Sequence, residues 1–591
     1  MVARVLPSEA AIDKEFDYLV PSAARGVVQV GTVVRADLGG RRVGGWVVET
    51  WEAGPSGAGR EGTDRELRPL ALVSGWGPEP EVVELAGWAA WRWAGRRASL
   101  LATASPERRA PVLPAAARRP PATPAVTLIP DELVAALAGE PGEPWVLRLP
   151  PSADPTPVVA WLARRGPTLV VVPALDRAAV LAERLRRAGA DVAVLPEDWA
   201  QARAGAAVVI GSRAAAWGPC PGLAAVVVID GHDPALIQEQ VPTWSAVDVA
   251  AERARRTGAP CVVISPCPSV ELLAGARLLR IPPDAERAGW SVIDVVDRRP
   301  DDPRLGLYSR AVVDAVRSEA VVLCVLNRVG RARLLACAAC GTVADCERCG
   351  AAVASLNPEE LSCPRCGLTR PMVCRSCTST RLRQLRVGVS RAREELEALA
   401  GRPVGEITAA GEVEGDADLV VGTEAVLHRR SRADVVAFLD FDQHLLAARL
   451  RAPEEALALL ARASRLTGGR RARRGRSPGR VLVQTRLPDH PVLVAAGVAD
   501  PGRLADHELA VRRQLRLPPV TAVAAVSGPG APDLVAAVAS RPEPAVPLEV
   551  LGPDQDRWLL RAADHVALAD GLAGLARPQE RVRIDVDPQR L

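Results

Sequence analysis

AAVVIGSRAAAWGPCPGLAAVVVIDGHD, residues 206–233, contains two runs, AAVVIGS and LAAVVVID, in which apolar residues follow one another without a break. A strand with one face in water alternates apolar with polar, whereas an unbroken Val/Ile run suits a strand covered on both faces, as in a parallel sheet between helices. Working outward, TLVVVPAL (168–175), VAVL (192–195) and APCVVIS (259–265) repeat the pattern, and residues 176–189 have the amphipathic period of a helix. A second set, VVLCVLN (321–327), DLVVGTE (418–424), VVAFLDFD (435–442) and GRVLVQT (479–485), predicts a second lobe of the same kind. The expected class is α/β, with two parallel-sheet lobes.

Between the first and second strands of that second set lie four CxxC pairs: Cys337/Cys340, Cys346/Cys349, Cys363/Cys366 and Cys374/Cys377, separated by five, thirteen and seven residues. A CxxC turn presents two thiolates, half of a tetrahedral zinc shell, so eight cysteines suit two closed sites of four. The window contains no histidine, which excludes mixed ligation within it. A redox pair would need only one CxxC, and iron-sulfur clusters have other spacings. Closed sites leave no open coordination position, so this zinc should hold shape rather than catalyse. The spacing alone does not say which pairs share an ion. The solitary Cys220, Cys261, Cys267 and Cys324 read as small buried hydrophobes.

At 591 residues the chain exceeds one core, and its net charge of +4 makes any nucleic-acid surface a local feature. Lys14 is the sole lysine. The first residues, MVARVLPSEAAIDKEF, are charged where a signal peptide is apolar, and no apolar run reaches the ~18 residues that span a bilayer. A cytoplasmic protein without a membrane partner is expected.

The order of these motifs resembles the PriA family of replication-restart helicases (primosomal protein N′), two-lobed superfamily 2 DNA helicases with a binuclear zinc insert. The opening stretch resembles the family's run from GTRSA into DEEH. APCVVISPCPSVELLAG (259–275) is similar to its SATPS segment, VLNRVGRARLLACAACG (325–341) to its LNRRGYA lead-in, and GRVLVQTRLPDHP (479–491) to the strand after the last helicase motif. ADHELAVRRQLRLPPV (505–520) and VRIDVDP (582–588) also match. The resemblance implies RecA-like lobes at 141–285 and at 286–336 with 378–485, a zinc insert at 337–377, a β-rich 3′ DNA-end-binding domain at 1–105 and an α+β C-terminal domain at 486–591. It implies a zinc pairing of Cys337, Cys340, Cys374 and Cys377 on one ion and Cys346, Cys349, Cys363 and Cys366 on the other. The Pro-rich stretch at 106–140 is too short for the winged helix the family often carries there.

Against that family the nucleotide site is degenerate. A P-loop needs glycine amides around the phosphates, a lysine on them and a Ser/Thr on magnesium. The corresponding WVLRLPPSADPTPVVAWLA (145–163) has no glycine and no lysine, and prolines at 150, 151, 155 and 157 remove amide donors. Asp230 stands where Walker B begins, but Gly231, His232 and Asp233 follow it in place of Glu, Glu and His. Without partners, Asp230 reads better as a turn or helix cap than as a magnesium ligand. Pro266 and Cys267 replace Ala and Thr of SATPS, Gly422, Thr423 and Glu424 keep part of GTQ, and QVAGRAGR has become ARASRLTGG (461–469). ATP and magnesium are therefore doubtful cofactors, Asp230 is a vestigial site residue and no catalytic residue is assigned.

The resemblance carries the family's 3′-end pocket onto Phe16, Asp17, Tyr18 and Gly39, with Arg68 at the lysine position. An aromatic face stacks a base, a carboxylate accepts from a 3′ hydroxyl and arginine holds phosphate. Phe16 and Tyr18 also read as core of a small β domain, and Arg41, Arg42 and Arg68 as solvated surface. GGRRARRGRSPGR (468–480) reads equally as a phosphate contact or a solvated loop. The implied function is recognition of arrested forks and primosome assembly without unwinding. The implied partners are forked DNA with a nascent 3′ end, single-stranded DNA-binding protein, primosome proteins and the replicative helicase, in nucleoid-associated cytoplasm. Two rivals are an active ATP-dependent 3′–5′ helicase of the same family and a zinc-bearing nucleic-acid-binding scaffold outside replication.

Overall fold

In the computed structural model the unbroken apolar runs form strands whose residues are buried throughout, among them Ala225–Ile229, Val208–Gly211 and Cys261–Ile264. The structure describes all residues except 10, 11, 13, 53–66, 123–141, 302–305, 319, 327–334, 358, 385–388, 410, 414, 415, 471–477, 541–546, 555, 577 and 591. Most of the Pro-rich stretch after residue 122, the end of the LNRRGYA-like lead-in and the centre of the 468–480 basic stretch lie outside the described residues.

The first lobe is a seven-stranded sheet in the order Arg277–Arg280, Trp145–Arg148, Cys261–Ile264, Ala225–Ile229, Thr168–Val171, Val208–Gly211, Val192–Val194. Every pairing in it is parallel, so all strands deliver their following loops to one edge. Helices cover both faces because their apolar positions recur at helical spacing. In Ala246–Thr257 the buried residues are Ala246, Val249, Ala250, Arg253 and Ala254. That helix starts where Ser245 Oγ accepts from Asp248 N at 3.2 Å and ends at Gly258, which adopts its left-handed φ of 71° without Cβ strain.

The second lobe repeats the arrangement in the order Val292–Asp297, Arg480–Thr485, Val435–Phe438, Val322–Val325, Leu419–Gly422, Gly405–Thr408, Gly411–Val413. Its last pairing is an antiparallel hairpin. Val292–Asp297, half-exposed at the sheet edge, precedes Val322–Val325 in the chain. The cysteine segment therefore enters after the sheet's second strand rather than its first, a correction that arises because an edge strand carrying Asp294 and Asp297 lacks the continuous apolar signature.

Before the lobes, a five-stranded antiparallel sheet spans Val2 to Gly75 and is backed by helices Pro80–Arg92 and Arg97–Ala104. After them, a four-stranded antiparallel sheet joins Ala522–Ser527, Glu549–Asp554, Arg557–Ala562 and Arg583–Val586. Buried Arg253 ties the first helix to the first lobe through Glu79 and Glu81. Among the described residues no helix is long and apolar enough to cross a membrane.

Candidate functional site

The loops at the carboxyl edge of the first sheet face the second lobe. Asp230 ends its strand in a left-handed conformation, φ 55°, with a side chain only 2% exposed. Its carboxylate caps no turn; the neighbouring Asp233 does that, accepting from Ala235 N at 3.0 Å. Instead, Asp230 meets Arg465 of the second lobe in a two-pronged pair, Nη1 to Oδ2 at 2.8 Å and Nη2 to Oδ1 at 2.6 Å. Arg465 Nε donates to Pro151 O at 3.0 Å, and Arg177, from the first lobe, also pairs with Asp230. Burial works to raise the Asp230 carboxyl, but the charge and hydrogen bonds of Arg465, with His232 and Arg177, outweigh it and hold the group below the usual carboxylate range. Arg462 sits 3.5 Å from Asp233 and is lowered to about 10, chiefly by burial. Both arginines lie in ARASRLTGG, on helix Ala452–Thr467, where comparison with a consensus passes over them.

The surrounding positions are filled. A Cβ on Gly231 would lie 2.2 Å from Val263 Cγ1, so the family glutamate does not fit there unless the Val263 side chain moves. Pro150 and Ser152 pack against Gly289 and Gly469; a Cβ on Gly289 would come within 2.5 Å of Pro150 Cβ, and one on Gly469 within 3.0 Å of Ser152 Oγ. His232 Nδ1 lies 2.9 Å from buried Ser265 Oγ, and burial keeps its imidazole below its ordinary pKa. The loop that would have to cradle phosphates is thus a packing surface.

The cysteine segment is held on short strands, Leu335–Cys337 with Leu382–Gln384, and Ala354–Ser355, Glu360–Ser362 and Thr369–Pro371. It rests on the second lobe through Ala352 N to Leu446 O at 2.8 Å. All four CxxC turns close alike: the N–H of the residue after the second cysteine donates to the carbonyl of the first, from Gly341, Gly350, Gly367 and Thr378 at 2.8–2.9 Å. Those four residues have positive φ, of 75°, 69°, 72° and 57°. The glycine following three of the four pairs is a sequence signal that the CxxC spacing alone does not use. The turns bring together Cys337, Cys340, Cys374 and Cys377, and separately Cys346, Cys349, Cys363 and Cys366, with all sulfurs of a set within 4.8 Å of one another. The nearest sulfurs stand 3.5 Å apart, close to the ~3.8 Å edge of a tetrahedron with Zn–S of ~2.3 Å. Both donor sets therefore fit a four-coordinate thiophilic cation. Cys220, Cys261, Cys267 and Cys324 are buried, with burial pushing the first, second and fourth thiols up to about 12.

In the N-terminal sheet Phe16, Asp17 and Tyr18 lie on strand Phe16–Leu19. Tyr18 is 4% exposed, its ring in the sheet's core, and its hydroxyl donates to Asp37 O at 3.2 Å. Asp17 is engaged by Arg4 Nε at 2.9 Å. Phe16 is half-buried against the same core, Gly39 sits in an open two-residue hairpin turn, and Arg68 is exposed, its carbonyl accepting from Leu19 N at 2.9 Å. Tyr18 is tied to the Gly39 turn only through Asp37 and the strand to Arg68 only through Leu19, and the ring of Tyr18 offers no free face for stacking.

An N-terminal antiparallel sheet, two facing lobes built on largely parallel sheets and an insert with two four-cysteine clusters define a two-lobed α/β core with an appended domain. Residues 4–106 match the family model described as the PriA 3'DNA-binding domain (3'BD), and the chain is 29% identical over 602 residues to the "Probable replication restart protein PriA" of Mycobacterium tuberculosis, covering 92% of this chain and 89% of that one. Residues 4–106 are thus similar to the PriA 3'DNA-binding domain, and the chain as a whole is similar to proteins named replication restart protein PriA. It is also 26% identical to the Bacillus subtilis replication restart protein PriA over 409 residues, 62% of this chain and 50% of that one. With the Haemophilus influenzae PriA it shares 27% over 446 residues, 66% of this chain and 60% of the relative. The chain thus spans only about half the length of the Bacillus relative.

Proposed function

We propose that this chain serves replication restart by binding arrested forks and helping to reassemble the primosome, with no unwinding activity of its own. The observation that carries the absence of a motor is the pairing of Asp230 with Arg465 and Arg177 beside a loop that neighbouring glycines pack shut. Hydrolysis requires an anion-binding loop, a metal-holding carboxylate and a group that positions water. Here the loop has prolines, the carboxylate is taken by guanidiniums and the water-positioning place is Gly231.

The two cysteine sets would each hold one zinc ion, which when bound supplies a tetrahedral cross-link. The chain's own part is to present eight sulfurs on four rigid turns and to dock the insert against Leu446 of the second lobe. This insert would be the platform for single-stranded DNA-binding protein, primosome proteins and the replicative helicase, in a cytoplasmic, nucleoid-associated setting. The N-terminal corner would receive the nascent 3′ end of a fork, with Arg68 on phosphate and half-buried Phe16 as the accessible aromatic. Tyr18 would shape that corner from below through its bond to Asp37.

The test is ATP turnover by zinc-loaded protein, with and without forked DNA carrying an annealed 3′ end. Background turnover in both, with fork binding intact, is the expected result. Fork-stimulated turnover that disappears in Asp230→Ala would show a working motor and refute the proposal.

A further inference from the structure

Two lobes that move against each other around a ligand need an interface that is incomplete without it. In this chain the interface is completed by the protein. Arg465 crosses from the second lobe to Asp230 of the first with both nitrogens of its fork, and reaches Pro151 O with the third donor. Arg462 crosses to Asp233 at 3.5 Å and Arg451 to Glu271 at 2.9 Å, while Glu454 accepts from Val270 N at 2.7 Å. Arg512, from helix Gly502–Leu515, bridges Glu271 at 2.8 Å and Glu454 at 2.5 Å, so a third element closes the same seam. Guanidiniums arranged around a point from both sides of a cleft form an anion site. The anion occupying this one is the side chain of Asp230.

We infer that Asp230 acts as a built-in anionic ligand that latches the two lobes in one closed arrangement, so that the core is a rigid scaffold whose shape no nucleotide sets. This rests on the reading that the cleft is not a motor, and goes beyond it by assigning the remaining charged groups a mechanical role. This bidentate pair is costly to break singly: without Arg465 the buried Asp230 carboxylate keeps only Arg177, and without Asp230 a part-buried guanidinium loses its acceptor. The latch also explains why Asp230 is retained among replaced neighbours: an aspartate tolerates the left-handed turn and supplies two acceptors for one guanidinium.

Hydrogen exchange on the full-length, zinc-loaded protein tests this. Asp230→Asn and Arg465→Ala should each speed amide exchange at least ~10-fold in residues 145–163, 225–235 and 452–470, on both faces of the cleft, while the N-terminal sheet stays at the wild-type rate. Arg465→Lys keeps the charge but loses the fork, and should give a smaller increase at the same places. In Asp230→Ala, inorganic pyrophosphate should restore protection by taking the vacated anion position, and should do nothing for Arg465→Ala. Wild-type exchange across the cleft in all variants would overturn the latch. So would loss of protection throughout the chain in both Asp230→Asn and Arg465→Lys, since the pair would then be a general fold element. A change in the wild-type cleft on adding magnesium and ATP would also overturn it. Fork-stimulated ATP hydrolysis would defeat the proposed function whatever exchange shows, whereas a silent ATPase with unchanged exchange would defeat the latch alone.

Discussion

The cysteine insert and the interlobe cleft are both places where this fold gathers ligand-binding groups, and they have gone opposite ways. In the insert, eight sulfurs converge on two centres and face one another, 3.5 Å apart at the nearest, which is the geometry of a shell around a cation. In the cleft, the carboxylates at the centre, Asp230 and Asp233, are already paired with Arg177, Arg465 and Arg462 of the protein itself, and glycines are packed against proline and valine. A set of donors without an internal counter-charge requires a ligand. Where the protein's own side chains already pair with one another, a ligand would have to displace an existing pair. In the proposed reading the two places differ in whether the donors at the centre already have partners within the protein, independent of any consensus.

The largest expected effect breaks the comparison on the insert's side. Removing metal with a strong chelator should release two zinc ions per chain, measured by atomic emission, and abolish exchange protection across the insert while both lobes keep theirs. Apparent binding energies of structural zinc, about 10–16 kcal/mol, exceed what short strands with a small core can replace. Cys346→Ser should lower the zinc content to one. An insert equally protected without metal would mean that the thiols are packed rather than ligating.

Acid should separate the two sites. Protons compete with metal for thiolates, so the insert should lose zinc first as pH falls. The Asp230 carboxyl has a depressed folded pKa, so its stabilisation is complete above the ~3.9 of an unfolded aspartate and is lost only as pH falls through the lower folded value. Cleft protection should therefore outlast zinc release, and then fall once the part-buried Arg465 and Arg177 lose their counter-charge. Exchange measured over a descending pH series checks the order; opening of the cleft before zinc release would reverse the argument.

Restoring the family residue at Gly231 should not restore function. Gly231→Glu introduces a Cβ 2.2 Å from Val263 Cγ1, and overpacking of this kind costs about 1–3 kcal/mol. A lowered melting midpoint with no gain in ATP turnover is expected. An active Gly231→Glu protein would show that the cleft had lost one residue rather than its architecture.

Much of this is legible in sequence, and the misses share a cause. Fully buried strands such as Ala225–Ile229 announce themselves through continuous Val/Ile, and the four CxxC pairs through spacing. Edge strands such as Val292–Asp297 and Arg277–Arg280 escape because one side faces water and admits charge. Arg465 escapes because a motif is compared letter by letter, whereas its partner Asp230 lies far away in the chain and only folding shows the pair. Resemblance and core packing leave two readings open for Tyr18, and its burial is set by the alternation of a strand only four residues long. Local pattern reports a residue's own strand or turn; it does not report what another lobe places opposite.

The smallest effect sharpens the insert's side within a single turn. Three of the four CxxC turns end in glycine at positive φ, but the fourth uses Thr378, a β-branched residue at φ 57°. Left-handed backbone costs a residue with a Cβ about 1–2 kcal/mol, and more where the branch crowds the carbonyl. The hydroxyl of Thr378 recovers part of this through its bond to Cys377 O at 2.7 Å, but that bond is exposed and competes with water. Thr378→Gly should therefore stabilise the zinc-loaded insert by roughly 0.5–1 kcal/mol net, read as slower zinc transfer to a chelator from the Cys337, Cys340, Cys374 and Cys377 set and unchanged transfer from the other. A faster release instead would mean that the threonine hydroxyl, rather than the backbone, determines how firmly that turn holds its two sulfurs.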